Sequence, residues 1–352
     1  MPRSNYPNGF KNGITIRGTP VEVPHSGDVY WLDSGSGRSN NKGTFDRPVA
    51  TLNAAMDLCT ANNGDIIFAK AGHSETVSTA LTQVMDVAGV SLIGLGGGTD
   101  MTTFTFSAIT SIFRITADNT YVENVNFRTS IEKVTYGVAA DADYVTLMGC
   151  KWSWEDAGDT FNTALDVINS DFFTLENCFM EPGQWNPSST SGMPQTGLRF
   201  AKADNMVIRG NHFSGYWISQ TEAEVGNASA ILGTTQTETI TDANGQFRVT
   251  PGATRSPGTT GLSSNILIAE NYLLNHSTET SMVTGFGADI DIGTVANGLI
   301  ANNSLGITGD GAIGMGLALD PGSCMSIENY AVDIINLRAV VYPVVAADTS
   351  TS

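Results

Sequence analysis

A six-position pattern recurs along this chain: aliphatic, variable, Asn or Gly, small or Asn, variable, apolar. It appears as Val122-Glu123-Asn124-Val125-Asn126-Phe127, Leu147-Met148-Gly149-Cys150-Lys151-Trp152 and Leu175-Glu176-Asn177-Cys178-Phe179-Met180. It returns as Ile208-Arg209-Gly210-Asn211-His212-Phe213, Ile268-Ala269-Glu270-Asn271-Tyr272-Leu273, Ile300-Ala301-Asn302-Asn303-Ser304-Leu305 and Ile327-Glu328-Asn329-Tyr330-Ala331-Val332. The closing positions are 127, 152, 180, 213, 273, 305 and 332, so the intervals are 25, 28, 33, 60, 32 and 27. An earlier member, Leu92-Ile93-Gly94-Leu95-Gly96-Gly97, closes at 97, which is 127 − 30. The interval of 60 is close to two periods, so it holds either a degenerate repeat or an insertion.

Alternation of apolar and polar positions marks short strands with one face inward. The Asn or Gly then turns the chain, because both tolerate a left-handed backbone. Repeats of this length stack as a solenoid, and the β-branched, Gly-broken segments exclude a helical one. The fold class is therefore all-β: a parallel β-helix. Stacking at about 4.8 Å per turn aligns like residues, so Asn124, Asn177, Asn302 and Asn329 are expected to share one turn as an amide ladder. Cys150 and Cys178 fall on equivalent sites and read as stacked buried thiols rather than a disulfide.

Around the repeats the pattern changes. Residues 1–32 are irregular and rich in Asn, Gly and Pro, and read as an arm or tether. Residues 33–64 combine a polar loop with a capping helix. Thr51 is its N-cap, Leu52, Ala55, Met56 and Cys59 share a face, and Asn62-Asn63-Gly64 ends it. Asp65–Ala69 reads as the first strand, and 65–345 as the solenoid. Within it, 215–261 is an excursion whose Thr237–Thr241 and Gln246–Thr250 form a hairpin about Asp242-Ala243-Asn244-Gly245. It either carries contacts or is a passive loop. Residues 346–352 read as a flexible tail.

Composition narrows the function classes. The charged fraction is 15% and the net charge −18, which argues against nucleic acid as a partner. No apolar run reaches the roughly 20 residues needed to span a bilayer. Met1–Gly13 holds no apolar core of a signal peptide. The four cysteines lack metal-site spacing, and no cofactor is implied.

Candidate chemistry rests on carboxylates, because glycan hydrolysis needs two at a defined separation. Asp156 and Asp159 cluster with Glu155 beside Trp154. Asp289 and Asp291 alternate on a strand, which puts them about 6.5–7 Å apart on one face, and they could also take adventitious Ca²⁺. Glu222 and Glu224 alternate likewise, and Glu176 and Glu181 flank the third repeat. Acid pairs near Trp154, Trp185 and Trp217 are what a glycan-cleaving groove contains. The bland alternative is that any acidic β-helix wall displays such pairs. His212, between inward Asn211 and Phe213, faces outward. The run Gly94-Leu95-Gly96-Gly97-Gly98 reads as a glycine-rich turn, since no helix follows it.

Several segments resemble known proteins. Asp33-Ser34-Gly35-Ser36-Gly37, Asp46-Arg47-Pro48, Ala50-Thr51-Leu52-Asn53-Ala54-Ala55 and Gly64-Asp65-Ile66-Ile67 are similar to the opening segment of pectate-lyase-like right-handed β-helix proteins. Asn5-Tyr6-Pro7-Asn8-Gly9-Phe10, Gly13-Ile14-Thr15-Ile16-Arg17-Gly18, Ala71-Gly72-His73-Ser74-Glu75-Thr76 and Asp86-Val87-Ala88-Gly89-Val90-Ser91-Leu92 resemble tailed-bacteriophage virion proteins. This resemblance implies a virion structural protein assembled in the host cytoplasm, of head decoration or fibre type and commonly trimeric. Its N-terminal arm, with Asn5, Tyr6, Pro7, Phe10, Ile14, Ile16 and Arg17, would attach it to the major capsid protein or other virion proteins. Two other readings stay open: a tailspike-like polysaccharide lyase or glycoside hydrolase, and a glycan-binding adhesin without catalysis.

The repeat makes one direct prediction. A charge in place of Ile208 or Ile300 should cost several kcal/mol, because it would be buried without a partner. An unchanged melting temperature would show that the inward register is wrong.

Overall fold

The computed structural model describes residues 15–16, 19–20, 27–80, 83–183, 196–215, 229–233, 240–241, 247–248, 262–276, 290–292, 295–307, 319–320, 323–333 and 338–342. Three sheets run the length of the solenoid, with 10, 10 and 8 strands. A complete turn contributes one strand to each sheet in the order first, second, third. One turn is Tyr121–Glu123, then Val125–Thr129, then Val134–Ala140. Successive turns pair in parallel: Val122 sits opposite Leu92 and Leu147, and Phe127 opposite Phe104 and Trp152; the last strand of the second sheet, Arg338–Tyr342, pairs antiparallel with Asn329–Asp333. The fold is a parallel β-helix.

The inner faces make one continuous core running from Leu32 to Cys324. Ile208 and Ile300 are fully buried in it. Phe104, Phe127 and Trp152 stack on successive turns with centroids 6.4 and 5.1 Å apart. Trp152 satisfies its indole N–H on Ala164 O at 2.9 Å, so the ring is buried without an orphan donor.

The corner between first and second sheets is one residue wide. Asn124, Gly149, Asn177, Gly210, Glu270, Asn302 and Glu328 all hold left-handed φ values, from 52° to 65°. The following position points inward and carries the amide ladder. Asn211, Asn271, Asn303 and Asn329 are buried. Each of the first three donates its backbone N–H and Nδ2 to Oδ1 of the next, at 2.8–3.0 Å. Every ladder Nδ2 also reaches a backbone carbonyl of the preceding turn: Leu175, Ile208, Ile268 and Ile300. Cys178 N–H closes the upper end on Asn211 Oδ1. Cys150 and Cys178 occupy the same column as free thiols, and burial raises the Cys178 pKa.

This corrects two expectations. The amide ladder does not run through Asn124, Asn177 or Asn302, which hold the left-handed corner itself. Asn124 instead bonds Gly94 O and Gly96 O, and glycines occupy the intervening corners. The last repeat is also slipped by one residue: Ile300 pairs with Ser326 and Leu305 with Ala331. Asn329 therefore belongs to the buried ladder, and Glu328 takes the corner. The final interval is 331 − 305 = 26, matching the 26-residue separation of Asn303 and Asn329.

The interval of 60 is a single turn. Phe213 pairs directly with Leu273, and only Ser229–Gly233 stands between them in the third sheet. The extra length is an insertion, and Ile240–Thr241 pairs antiparallel with Phe247–Arg248 within it. The early member also differs. Leu92 pairs with Val122, but its second-sheet strand begins later, at Thr102 after a short helix Gly98–Asp100. Gly94 is needed there because a Cβ would lie 2.2 Å from Asn124 O.

The first turn starts earlier than expected. Val29–Leu32 pairs with Ile66–Ala69 as the edge of the first sheet, so the last residues assigned to the arm belong to the solenoid. The helix Leu52–Met56 covers the open end and buries Leu52, Ala55 and Met56, with Thr51 as its N-cap. A second tie comes from Glu75, whose Oε1 accepts from Leu52 N–H at 2.7 Å. Glu75 Oε1 also meets His73 Nε2 at 2.9 Å, while His73 Nδ1 accepts from Ser34 N–H. That fixes the imidazole proton on Nε2. The Glu75 side chain is thus buried against the first backbone N–H of the helix.

Replacing Asn271 by Ala should cost about 2–4 kcal/mol, because Asn211 N–H and Ile208 O would be buried without their partner. Denaturant midpoints check this. A loss no larger than that of an exposed Asn would show that the ladder carries little of the stability.

Candidate functional site

Connections from the second to the third sheet lengthen along the rod. They are residues 107–112, 130–133 and 155–160 in the early turns, then 181–195, 216–228, 276–289 and 308–318. The second sheet's outer face beside this corner carries most of the chemistry. One outward column reads Asn126, Lys151, Phe179, His212, Tyr272, Ser304 and Tyr330 on successive turns. Its neighbour reads Arg128, Ser153, then Ser214, Leu274 and Gly306. Glu181, directly after Met180, follows the same outward alternation.

Parallel stacking at one turn per layer forces these side chains into contact. Phe179 and His212 have ring centroids 4.7 Å apart, and His212 and Tyr272 4.8 Å. Lys151 Nζ stands 5.7 Å from the Phe179 centroid, within cation–π range. Tyr272 is 42% and Tyr330 46% exposed. Alongside, Ser214 Oγ and His276 Nε2 are hydrogen-bonded at 2.8 Å. Upstream, Ser153 Oγ donates to Asn126 Oδ1, and Arg128 pairs with Glu155 at 3.5 Å.

Burial lowers the pKa of both His212 and His276, and Glu181 partly opposes this for each. The two imidazoles also repel each other's positive charge at His212. Both rings are therefore neutral at pH 7, with a carboxylate close enough to favour their protonated forms.

The carboxylates proposed from sequence do not converge on one site. Asp156 and Asp159 share the turn after Lys151–Trp154, where Asp156 N–H donates to Asp159 Oδ2 at 2.9 Å. Burial raises the Asp159 pKa, and the like charges of Asp156, Glu155 and Glu132 add to it. Asp291 lies on the third-sheet strand Ile290–Asp291, three turns beyond the strand that follows this turn, or about 14 Å along the axis. Asp289, Glu222, Glu224, Trp185 and Trp217 lie outside the described residues, so the Asp289/Asp291 calcium reading does too. Among the described residues no three His, Cys, Asp or Glu side chains are grouped to hold a metal. Of the arm, Ile16 sits in a tight antiparallel pairing of Thr15–Ile16 with Thr19–Pro20. Asn5, Tyr6, Pro7, Phe10, Ile14 and Arg17 lie outside the described residues. No helix among the described residues is long and apolar enough to cross a membrane.

Two surface features escaped the sequence reading. Asp118, Asp143, Asp171 and Asp204 stack at the third corner, each Oδ1 accepting the N–H of the equivalent residue in the next turn. Beside them Tyr144 and Phe172 stack face to face at 4.7 Å, exposed and with positive φ. The regular spacing of Asp-Asn, Asp-Tyr, Asp-Phe and Asp-Asn was the available signal.

No protein-family model matches this sequence, and no curated protein matches it. Among solved structures the chain is similar to pectate lyase Pel9A, at 15% identity over 89% of this chain and 77% of that one, with a TM-score of 0.40. It is similar to pectate lyase Bsp165PelA from Bacillus sp. N165 in complex with trigalacturonate, at 12% identity over 88% and 84%, with a TM-score of 0.42. A tailspike protein mutant of E. coli bacteriophage HK620 in complex with pentasaccharide follows at 11% identity over 84% and 60%, with a TM-score of 0.34. At these identities and scores the likeness assigns neither activity nor ligand.

The histidine shifts set a pH dependence. Both folded values lie below the ordinary 6.5, so the unfolded chain binds more protons as pH falls through that value, and stability is lost below it. Melting temperature should drop between pH 7 and pH 5. The double variant His212→Gln, His276→Gln should flatten that slope, and an unchanged slope would contradict the assignment.

Proposed function

We propose that this chain is a β-helical structural protein on the surface of a tailed-bacteriophage particle, of decoration or head-fibre type. Its arm, with Tyr6, Phe10, Ile14, Ile16 and Arg17, docks on the major capsid protein. The rod carries the outward strip around Phe179, His212 and Tyr272 as a face for host-surface saccharide. The observation that carries this reading is the polarity of the rod. The chain joins the solenoid at its helix-capped end, whereas the strip of Phe179, His212, Tyr272 and Tyr330 lies on the later turns of the second sheet. Attachment and display are thereby separated. Exposed aromatic rings beside amide, hydroxyl and imidazole groups suit sugar rings, which offer an apolar face and a rim of hydroxyls.

Self-association as a trimer is part of the proposal, and the outer face of the first sheet supports it. Val207, Leu267, Leu299 and Met325 form one outward column, and Ala269, Ala301 and Ile327 the next. Met325 is 63% and Ile327 42% exposed, so the later turns present an apolar strip that a second copy would cover.

Purified virions should contain the protein, and deleting residues 1–26 should abolish its co-sedimentation with particles. Virions that lack the protein would sink the reading. Light scattering should give three times the chain mass, falling to one in Met325→Asp, Ile327→Asp. A glycan array should show binding that weakens about tenfold in Tyr272→Ala, given roughly 1–1.5 kcal/mol for one aromatic contact.

A further inference from the structure

The Ser214–His276 contact has the elements of a nucleophile and its base, and the mechanical roles of the fold do not use it. Both residues face outward from the core, on adjacent turns of the second sheet: Ser214 is opposite Leu274, and His276 follows two residues later. His276 is held in place through its backbone, with N–H donating to Gly215 O at 2.8 Å. Its Nε2 is thus set 2.8 Å from Ser214 Oγ, inside the range for proton transfer from a nucleophile to a base. Glu181 acts electrostatically on the same ring. His212 stands on the same face, two residues before Ser214 and about 7 Å away along the strand.

We propose that Ser214 and His276 form a nucleophile–base dyad that hydrolyses short-chain acyl esters, with O-acetylated saccharide as the substrate class. In the first step Ser214 Oγ attacks the ester carbonyl carbon while His276 Nε2 takes the hydroxyl proton. The carbonyl π pair moves to oxygen and then returns as the C–O bond to the sugar breaks. The leaving sugar oxygen receives the proton from His276, and the acyl group remains on Ser214. A water molecule then attacks that acyl carbon, giving its proton to His276. Ser214 regains a proton as the carboxylic acid departs. The sum is ester plus water giving acid plus alcohol.

Electrostatics fit each role. Burial keeps His276 neutral at pH 7 and therefore able to accept a proton. Glu181 favours the imidazolium that forms, which is the part a third member plays in a serine hydrolase. His212, also neutral, can donate an N–H toward the developing oxyanion. Among the described residues Glu181, His212 and Ser214 face His276, so ester cleavage should rise with pH through a transition below 6.5 and then level. Glu181→Gln should move that transition to lower pH. As a positioning residue, it would be contradicted by an unshifted profile.

The acyl-transfer chemistry stands on the dyad, whereas the saccharide substrate rests on the reading of the strip as sugar-facing. Two measurements keep them apart. A fluorophosphonate probe on the full chain should form an adduct that mass spectrometry maps to Ser214. It should be absent in Ser214→Ala and slowed about 100-fold in His276→Gln. Both variants should keep the wild-type melting temperature at pH 8, since neither side chain is in the core. Absence of an adduct at Ser214 in the folded protein, or equal labelling in His276→Gln, overturns the dyad. Acetate release from O-acetylated polysaccharide should follow the same variants. Labelling without acetate release overturns the substrate class. Ser214→Ala should still bind the polysaccharide, and loss of binding by the wild type itself would instead overturn the strip.

Discussion

The hydrogen bonds that hold this protein together run mostly along the axis, from one turn to the next. That direction imposes a severe condition: each turn must return to the same place about 4.8 Å further on, whatever happens between. The single-residue corner from first to second sheet meets the condition. Its left-handed residue fixes the bend, and the inward residue after it binds its counterpart in the adjoining turn. Lengths vary freely elsewhere. The third-sheet corner absorbs the insertion between Phe213 and Leu273 without disturbing the direct pairing of those two residues.

The corner also exacts a local penalty. Asn and Gly adopt left-handed backbone easily, but Glu270 and Glu328 do so too, at about 1–2 kcal/mol each. They are tolerated because the next residue in both cases is a ladder asparagine. The side chain and backbone N–H of Asn271 make five hydrogen bonds, all buried. In the low dielectric of the core such a chain of amides is strongly favoured once complete, and costly when broken. The earlier turns manage without it: Cys150 and Cys178 fill the column as small thiols, and the aromatic stack of Phe104, Phe127 and Trp152 supplies the cohesion instead.

Most of the architecture was legible in the sequence because the constraint repeats. Strand pairs such as Val122 with Leu147 and Leu175 with Ile208 follow from the pattern alone. The slip at Glu328 was not legible, since Ile327 fits the aliphatic first position better than Ser326, and only the pairing with Ile300 puts Ser326 there. Nor was the latch of His73 and Glu75, whose partners Ser34 and Leu52 are distant in sequence. The candidate site fared worst for a physical reason. Outward residues on a β-helix wall obey no packing rule, so nothing in the pattern joined Ser214 to His276, which are 62 residues apart. Acid pairs drew the eye because carboxylates are frequent, and the turn used Asp159 to hold Asp156.

The latch at the capped end joins Ser34, Leu52, His73, Glu75 and Gln83. All lie in the opening quarter of the chain and none needs a later residue. A ribosome therefore releases everything required to close that end before most of the solenoid exists. Every subsequent turn emerges facing a finished edge of paired strands, with its hydrogen-bond partners already in place. Assembly can keep pace with synthesis, in the order of the message, each new turn covering the strand edge left open by the one before it.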